Sequence, residues 1–168
     1  MKWGIRDFNG TEFDLCHLDP FIFVVPGRND SPEYQVRVTF GCHTFTRAWA
    51  DDEPAHLRFE NGPEVRCFCN ERFELSRRLP AIIVNAASGR VHFSQFGNYL
   101  IVRDIDGLVG PYVMFFSLAR ARFEGFDLTM FVDSAYLKPN LPNKLDAVFF
   151  STLVEKTVKG LKLPRKRK

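Results

Sequence analysis

Apolar and polar positions alternate most cleanly from Tyr34 to Arg47. Tyr34, Val36, Val38, Phe40 and Cys42 fall on one face, and Gln35, Arg37, Thr39, His43 and Arg47 on the other. A period of two is the signature of a half-buried β-strand. Upstream, Glu12 to Pro26 reads as an opening strand or hairpin around the run Phe21-Ile-Phe-Val-Val25, closed by the turn-forming Pro26-Gly-Arg-Asn-Asp30. Downstream, Ala50 to Pro63 reads as a polar loop leading to a short strand around Val65, Cys67 and Cys69.

The pattern then becomes helical. Leu75, Leu79, Ile82, Ile83 and Ala86 make one stripe at i, i+4, i+7, i+8 and i+11, with Asn70 as the capping residue. Pro80 interrupts the stripe, so the spacing predicts either a kink or a helix restarted with Ser76 as cap and Pro80 in its first turn. After Ser88-Gly89 the period returns to two in four segments, Arg90–Gln95, Asn98–Asp104, Pro111–Ala119 and Asp127–Tyr136, separated by Gly-bearing gaps. Short gaps of this kind favour an antiparallel meander. Pro139 and Pro142 end it, Asn143 is placed to cap a last helix burying Leu145, Val148, Phe149, Leu153 and Val154, and Gly160 is placed to stop that helix. The expected fold is α+β: an antiparallel sheet with a four-strand meander, one central helix and one C-terminal helix. Residues 1–160 form one domain in this reading, and 161–168 a basic, disordered tail.

At 168 residues the chain is long enough to bury roughly 70% of its unfolded surface. Its eighteen phenylalanines, against four tyrosines and two tryptophans, belong mostly to the core. The net charge of +3 is misleading. Six bases and no acid lie in Lys159–Lys168, and removing those six from 23 basic residues leaves 17 against 20 acidic ones, or −3 for the body. A protein that wraps a duplex carries its positive charge on a folded face. Met1 to Asp7 has no signal-peptide pattern and no apolar run near it approaches membrane length, so a cytoplasmic protein without a membrane partner is expected. The four cysteines are then expected as free thiols.

Phosphate-loop, dinucleotide-fingerprint, zinc-protease and nucleophile-elbow motifs are missing from the sequence, which removes the common chemistries that depend on them. Cys16-His17, Cys42-His43 and Cys67-Phe-Cys69 supply metal-ligand residue types. However, neighbours on a regular strand point to opposite faces, so Cys42 and His43 are not expected to share an ion, and no metal or other cofactor is expected. Asp51-Asp-Glu53 and Asp104/Asp106 are read as turn residues. His43 lies beside Arg37, Thr39 and Arg47, a setting suited to anion binding or proton transfer.

In a regular meander, Arg120 and Arg122 lie near the start of the fourth strand, while Tyr136 and Lys138 lie near Arg103. Arginine, lysine and tyrosine acting without metal suit an RNase in which the RNA's own 2′-hydroxyl attacks. On that reading Arg120, Arg122, Tyr136 and His43 are the candidate catalytic residues. Arg103, Lys138, Lys162, Arg165, Lys166, Arg167 and Lys168 are the candidate RNA contacts.

The stretches Asp14-Leu-Cys-His-Leu-Asp-Pro-Phe21, Phe40-Gly-Cys-His-Thr-Phe-Thr46, Phe73-Glu-Leu-Ser-Arg-Arg-Leu-Pro80 and Val132-Asp-Ser-Ala-Tyr136 resemble a bacterial family labelled stationary-phase growth adaptation proteins. From Glu71 onward, the order of a helix, an antiparallel sheet and a final helix with scattered Arg, Lys and Tyr is similar at the level of fold to RelE-type toxins, ribonucleases acting on translated messenger RNA. That resemblance implies a stress or defence protein acting on RNA or the ribosome and held by an antitoxin. The alternative reading is a non-catalytic protein-binding or regulatory module using the sheet face or the tail.

Overall fold

The computed structural model describes residues 2–28, 31–94, 98–122, 125–142 and 145–162. Two short strands, β1 (Ile5–Phe8) and β2 (Thr11–Asp14), form a hairpin. Its turn is Asn9-Gly10, with φ of 58° and 76°. Positive φ at both central turn residues matches the right-handed twist of the strands, and Asn-Gly is the pair that adopts it at least cost.

The main sheet has seven strands: β3 (Phe21–Val25), β4 (Tyr34–His43), β8 (Arg90–Phe93), β9 (Tyr99–Arg103), β10 (Tyr112–Arg120), β11 (Leu128–Leu137) and β12 (Ala147–Phe149). Their spatial order is β12-β8-β9-β10-β11-β4-β3. A smaller sheet, ordered β5-β7-β6, joins β5 (Thr46–Ala48), β6 (Arg58–Asn61) and β7 (Glu64–Phe68). The helices are α1 (Asn70–Ser76), α2 (Leu79–Ala86) and α3 (Phe150–Val158).

The alternating segment forms β4, whose Tyr34, Val36, Val38, Phe40 and Cys42 are at most 5% exposed. The four segments after Gly89 become β8 to β11, each antiparallel to the next. They are only the middle of a larger, mixed sheet. β4 pairs parallel to β11, Val36 to Leu128 and Val38 to Met130, which corrects the purely antiparallel expectation. Val36, Val38 and Phe40 of β4 and Leu128, Met130 and Val132 of β11 are buried in one core, and a parallel pair is what the intervening crossover allows.

The single central helix is corrected to two. α1 begins at Asn70, with Cys69 rather than Asn70 at the cap position and no side-chain cap. α2 restarts after Arg78 with Pro80 in its first turn, where a missing N–H costs nothing. Ser76 does not cap α2; its hydroxyl donates back to Phe73 O at 2.6 Å. The last helix also starts later than the apolar spacing suggested, because Ala147–Phe149 pairs with β8 as a strand. Asn143 lies outside the described residues. Gly160 ends α3 at φ 67°, with its N–H on Thr157 O and the Leu161 N–H on Lys156 O. Arg58–Asn61, read as loop, is a strand turning at Gly62 (φ 62°) into β7.

One contiguous buried cluster runs from Trp3 to Val154. Phe150 meets Phe116 edge-on and stacks on Phe23 within it, with ring centroids 5.9 Å and 6.1 Å apart. Tyr112, Val113 and Met114 are buried in succession, so both faces of the sheet are covered there. All four cysteines are unpaired. No helix among the described residues is long and apolar enough to cross a membrane.

Candidate functional site

Two register slips meet on one line across the sheet. Between β10 and β11, Phe115 faces Ser134 while Phe116 faces Val132, which leaves Asp133 as an extra residue. Between β11 and β4, Val132 faces Phe40 while Ser134 faces His43, which leaves Gly41 and Cys42 opposite Asp133 alone. Bulges bend a strand and re-aim its side chains. Gly41 permits this one: a Cβ there would lie 3.0 Å from Asp133 O, 3.4 Å from Val132 O and 3.1 Å from the Phe131 ring. An isolated glycine inside an alternating strand is the sequence signal for such an approach.

Beside the slip lies a cavity of about 490 Å³, of a size that takes small ligands. Phe93, Leu100 and Phe115, from three adjacent strands, and Leu141, Pro142 and Leu145, which follow β11, make its apolar lining. Asp133, Ser134, Lys138, Asn98 and Asn140 make its polar side. Tyr136 forms a wall between cations and an aromatic partner: its ring stacks on Phe115 at 5.6 Å, Arg72 lies 4.9 Å over it, and the Lys138 ammonium lies 5.9 Å away. Arg72 is itself anchored, donating to Thr46 O at 2.7 Å and His43 O at 3.2 Å.

Cys42 and His43, at the end of the neighbouring strand β4, and Glu64, at the start of β7 in the smaller sheet, bring a thiol, an imidazole and a carboxylate within 4.8 Å of one another. Their approach corrects the expectation that Cys42 and His43 are kept apart by strand alternation. Cys42 lies within the slip, and the turn in which Thr44 and Phe45 donate to Gly41 O and Cys42 O begins there. His43 Nε2 is 2.7 Å from Glu64 Oε1, and Cys42 Sγ is 4.0 Å from Glu64 Oε2. Arg66 Nη1 reaches Glu64 Oε1 at 3.2 Å and Asn61 Nδ2 donates to Cys42 Sγ at 3.5 Å. Burial, and then the Glu64 carboxylate, hold the Cys42 thiol above its ordinary pKa, so it is protonated at neutral pH and a weak nucleophile.

The sequence-predicted residues separate into two groups. Tyr136 and Lys138 line the cavity, and His43, in register with Ser134, borders it. Arg103 aligns with Tyr112 and Leu137 across the sheet but gives its Nη1 proton to Val102 O at 2.9 Å. Arg120 pairs with Leu128, eight residues before Tyr136 on β11, which at about 3.3 Å per residue is roughly 26 Å away. Arg122 is exposed beyond the end of β10. One phosphate cannot touch both groups. Lys162 is exposed after α3, and Arg165, Lys166, Arg167 and Lys168 lie outside the described residues.

Glu64, Arg72 and Asp133 were not legible as site residues, since each acts only through tertiary placement. A second pairing that imitates a nucleophile and base, Ser76 Oγ with His17 Nε2 at 2.6 Å, carries no chemistry: Ser76 is fully buried, and its proton goes to Phe73 O.

Compared with curated proteins and with solved structures, the chain matches none of them. Residues 6–158, nearly the whole chain, match the model of the YjaZ family, and the chain belongs to that family.

Proposed function

We propose that this protein is a non-catalytic binding or regulatory module whose sheet-face cavity takes a small ligand with an apolar or aromatic body and an anionic group. The observation that carries this reading is the mixed lining of the cavity, in which Phe93, Leu100, Phe115 and Leu141 are joined by Lys138, Ser134 and Asn140. Apolar walls with a few convergent polar groups are what small-molecule sites share. A charge-assisted hydrogen bond to Lys138 contributes about 1.5–3 kcal/mol, enough for tenfold or more in affinity.

A fluorescent arylsulfonate, 8-anilinonaphthalene-1-sulfonate, has the required shape and charge. Saturable binding of one equivalent is expected, weakened about tenfold or more by Lys138→Glu and unchanged by Arg120→Ala. Equal binding by the wild type and Lys138→Glu removes the reading.

The RNA-acting reading retains one specific observation, the position of Tyr136 between Arg72 and Lys138 at the same cavity. It also covers toxin activity, a ribosome or antitoxin partner and the basic tail as RNA contacts. Growth arrest on expression, lost in Tyr136→Phe, would replace the binding module with a ribonuclease.

A further inference from the structure

We propose that Cys42, His43 and Glu64 form a binding site for a borderline divalent transition cation of the zinc type. Thiolate, imidazole and carboxylate are the residue types that hold such an ion, and three protein ligands leave a fourth position for water. The distances are those of a set waiting to contract. Bonds of about 2.0–2.3 Å in tetrahedral array put ligand atoms roughly 3.3–3.8 Å apart. Cys42 Sγ and Glu64 Oε2 are already 4.0 Å apart, and all three ligand atoms lie within 4.8 Å of one another. The 2.7 Å contact of His43 Nε2 with Glu64 Oε1 is shorter than that edge, so the cation takes the place of the proton between them, which moves to His43 Nδ1 or to solvent, and opens the pair by roughly 0.6 Å or more.

The surroundings support the set. Arg66 fixes Glu64 at 3.2 Å while its Nε donates to Thr46 Oγ1 at 3.2 Å, and Asn61 Nδ2 points at the sulfur. Partners of this kind orient metal ligands and tune their affinity. Arg66 opposes a second positive charge, but thiolate and carboxylate together carry two negative ones, so the loaded site is no more than singly positive with Arg66 included. Access is from the side where His43 and Glu64 keep 30% and 41% of their side chains exposed. On binding, the Cys42 thiol gives its proton to solvent and its sulfur bonds the ion, with no change of oxidation state. This site does not depend on the ligand-binding reading of the cavity.

The test uses the full chain stripped with chelator and titrated with Co²⁺ under a phosphine reductant. One equivalent is expected to give a near-ultraviolet thiolate-to-cobalt charge-transfer band and the visible bands of four-coordinate cobalt, both displaced by Zn²⁺. Cys42→Ser removes the charge-transfer band, whereas Cys16→Ser, Cys67→Ser and Cys69→Ser, made singly, leave it. Glu64→Gln and His43→Ala each weaken cobalt binding about tenfold or more. Circular dichroism of each variant confirms that it is folded; should Cys42→Ser not fold, Glu64→Gln, whose residue is half exposed, decides the question. Absence of the bands in the wild type, their persistence in folded Cys42→Ser, or unchanged affinity in folded Glu64→Gln overturns the proposal.

Discussion

Gly41→Ala tests whether the slip between β4 and β11 is built on the absence of a side chain. The added methyl would sit 3.0 Å from Asp133 O and 3.4 Å from Val132 O, both backbone atoms of a paired strand, and 3.1 Å from the Phe131 ring. The ring is 41% exposed and can swing away; the carbonyls cannot move without dragging β11. Overpacking of this kind costs about 1–3 kcal/mol. Against it stands a gain of about 0.4–1 kcal/mol from the reduced freedom of the unfolded chain. The net is a loss of up to about 2.6 kcal/mol, centred near about 1.3, or a fall of about 3–5 °C in Tm at the centre for a chain of this length. Gly89→Ala is the matched control, because its Cβ would meet nothing nearer than Ala86 O at 3.5 Å and its φ is not positive, so no loss is expected and a gain of about 0.4–1 kcal/mol is. Urea and thermal unfolding of both variants provide the measurement. A Gly41→Ala protein as stable as the wild type would show that the bulge does not need glycine, and the account of how Asp133 and Cys42 are placed would fail with it.

Two further outcomes follow from burial. Desolvation lowers the pKa of His17, opposed by Asp14 and Glu74 and aided by Arg77, and also lowers that of His92, aided by Arg103. The unfolded chain therefore takes up protons first as pH falls through the ordinary histidine value of about 6.5, so the contribution is complete above that value and is lost below it. Unfolding free energy should fall from pH 7 to pH 5, and the double variant His17→Gln/His92→Gln should show a shallower slope over that window; an equal or steeper slope contradicts the assignment. Tyr112 is 1% exposed, its hydroxyl has no hydrogen-bond partner among the described residues, and burial raises its pKa. The folded state thus keeps its proton when the unfolded state loses one, and stability drops as pH rises above about 10. Tyr112→Phe should remove that alkaline drop and be neutral or slightly stabilising at pH 7, whereas a loss above about 1 kcal/mol at pH 7 would reveal a hydrogen bond.

What the sequence could and could not show follows from the range of the interactions. β4 and the four strands after Gly89 were legible because burial imposes period two along a strand, and this signal needs no knowledge of the neighbour. The parallel pairing of β4 with β11 was not, since Val36 and Leu128 are brought together by the fold and no local residue records the partner. The Asn9-Gly10 hairpin carries a local signal in its turn pair, and Arg58–Asn61 is masked by its polar composition although Asn61-Gly62 is the same turn chemistry. Phe149 fits a helical stripe and a strand equally well, because the two periods coincide over so few residues, and pairing with Arg90 decided it.

The candidate site turned on the same limit. Tyr136 and Lys138 could be placed together, and apart from Arg120, by counting residues along a regular meander, and the register agrees. Cys42 and His43 could not be, because what draws their ligand atoms together is the carboxylate of Glu64 on β7, a tertiary partner that no local pattern records. Gly41 was the one local mark of the slip. A glycine inside an otherwise regular strand shows where the partner backbone comes too close for a side chain, and at Gly41 that point lies beside the residues of the candidate site.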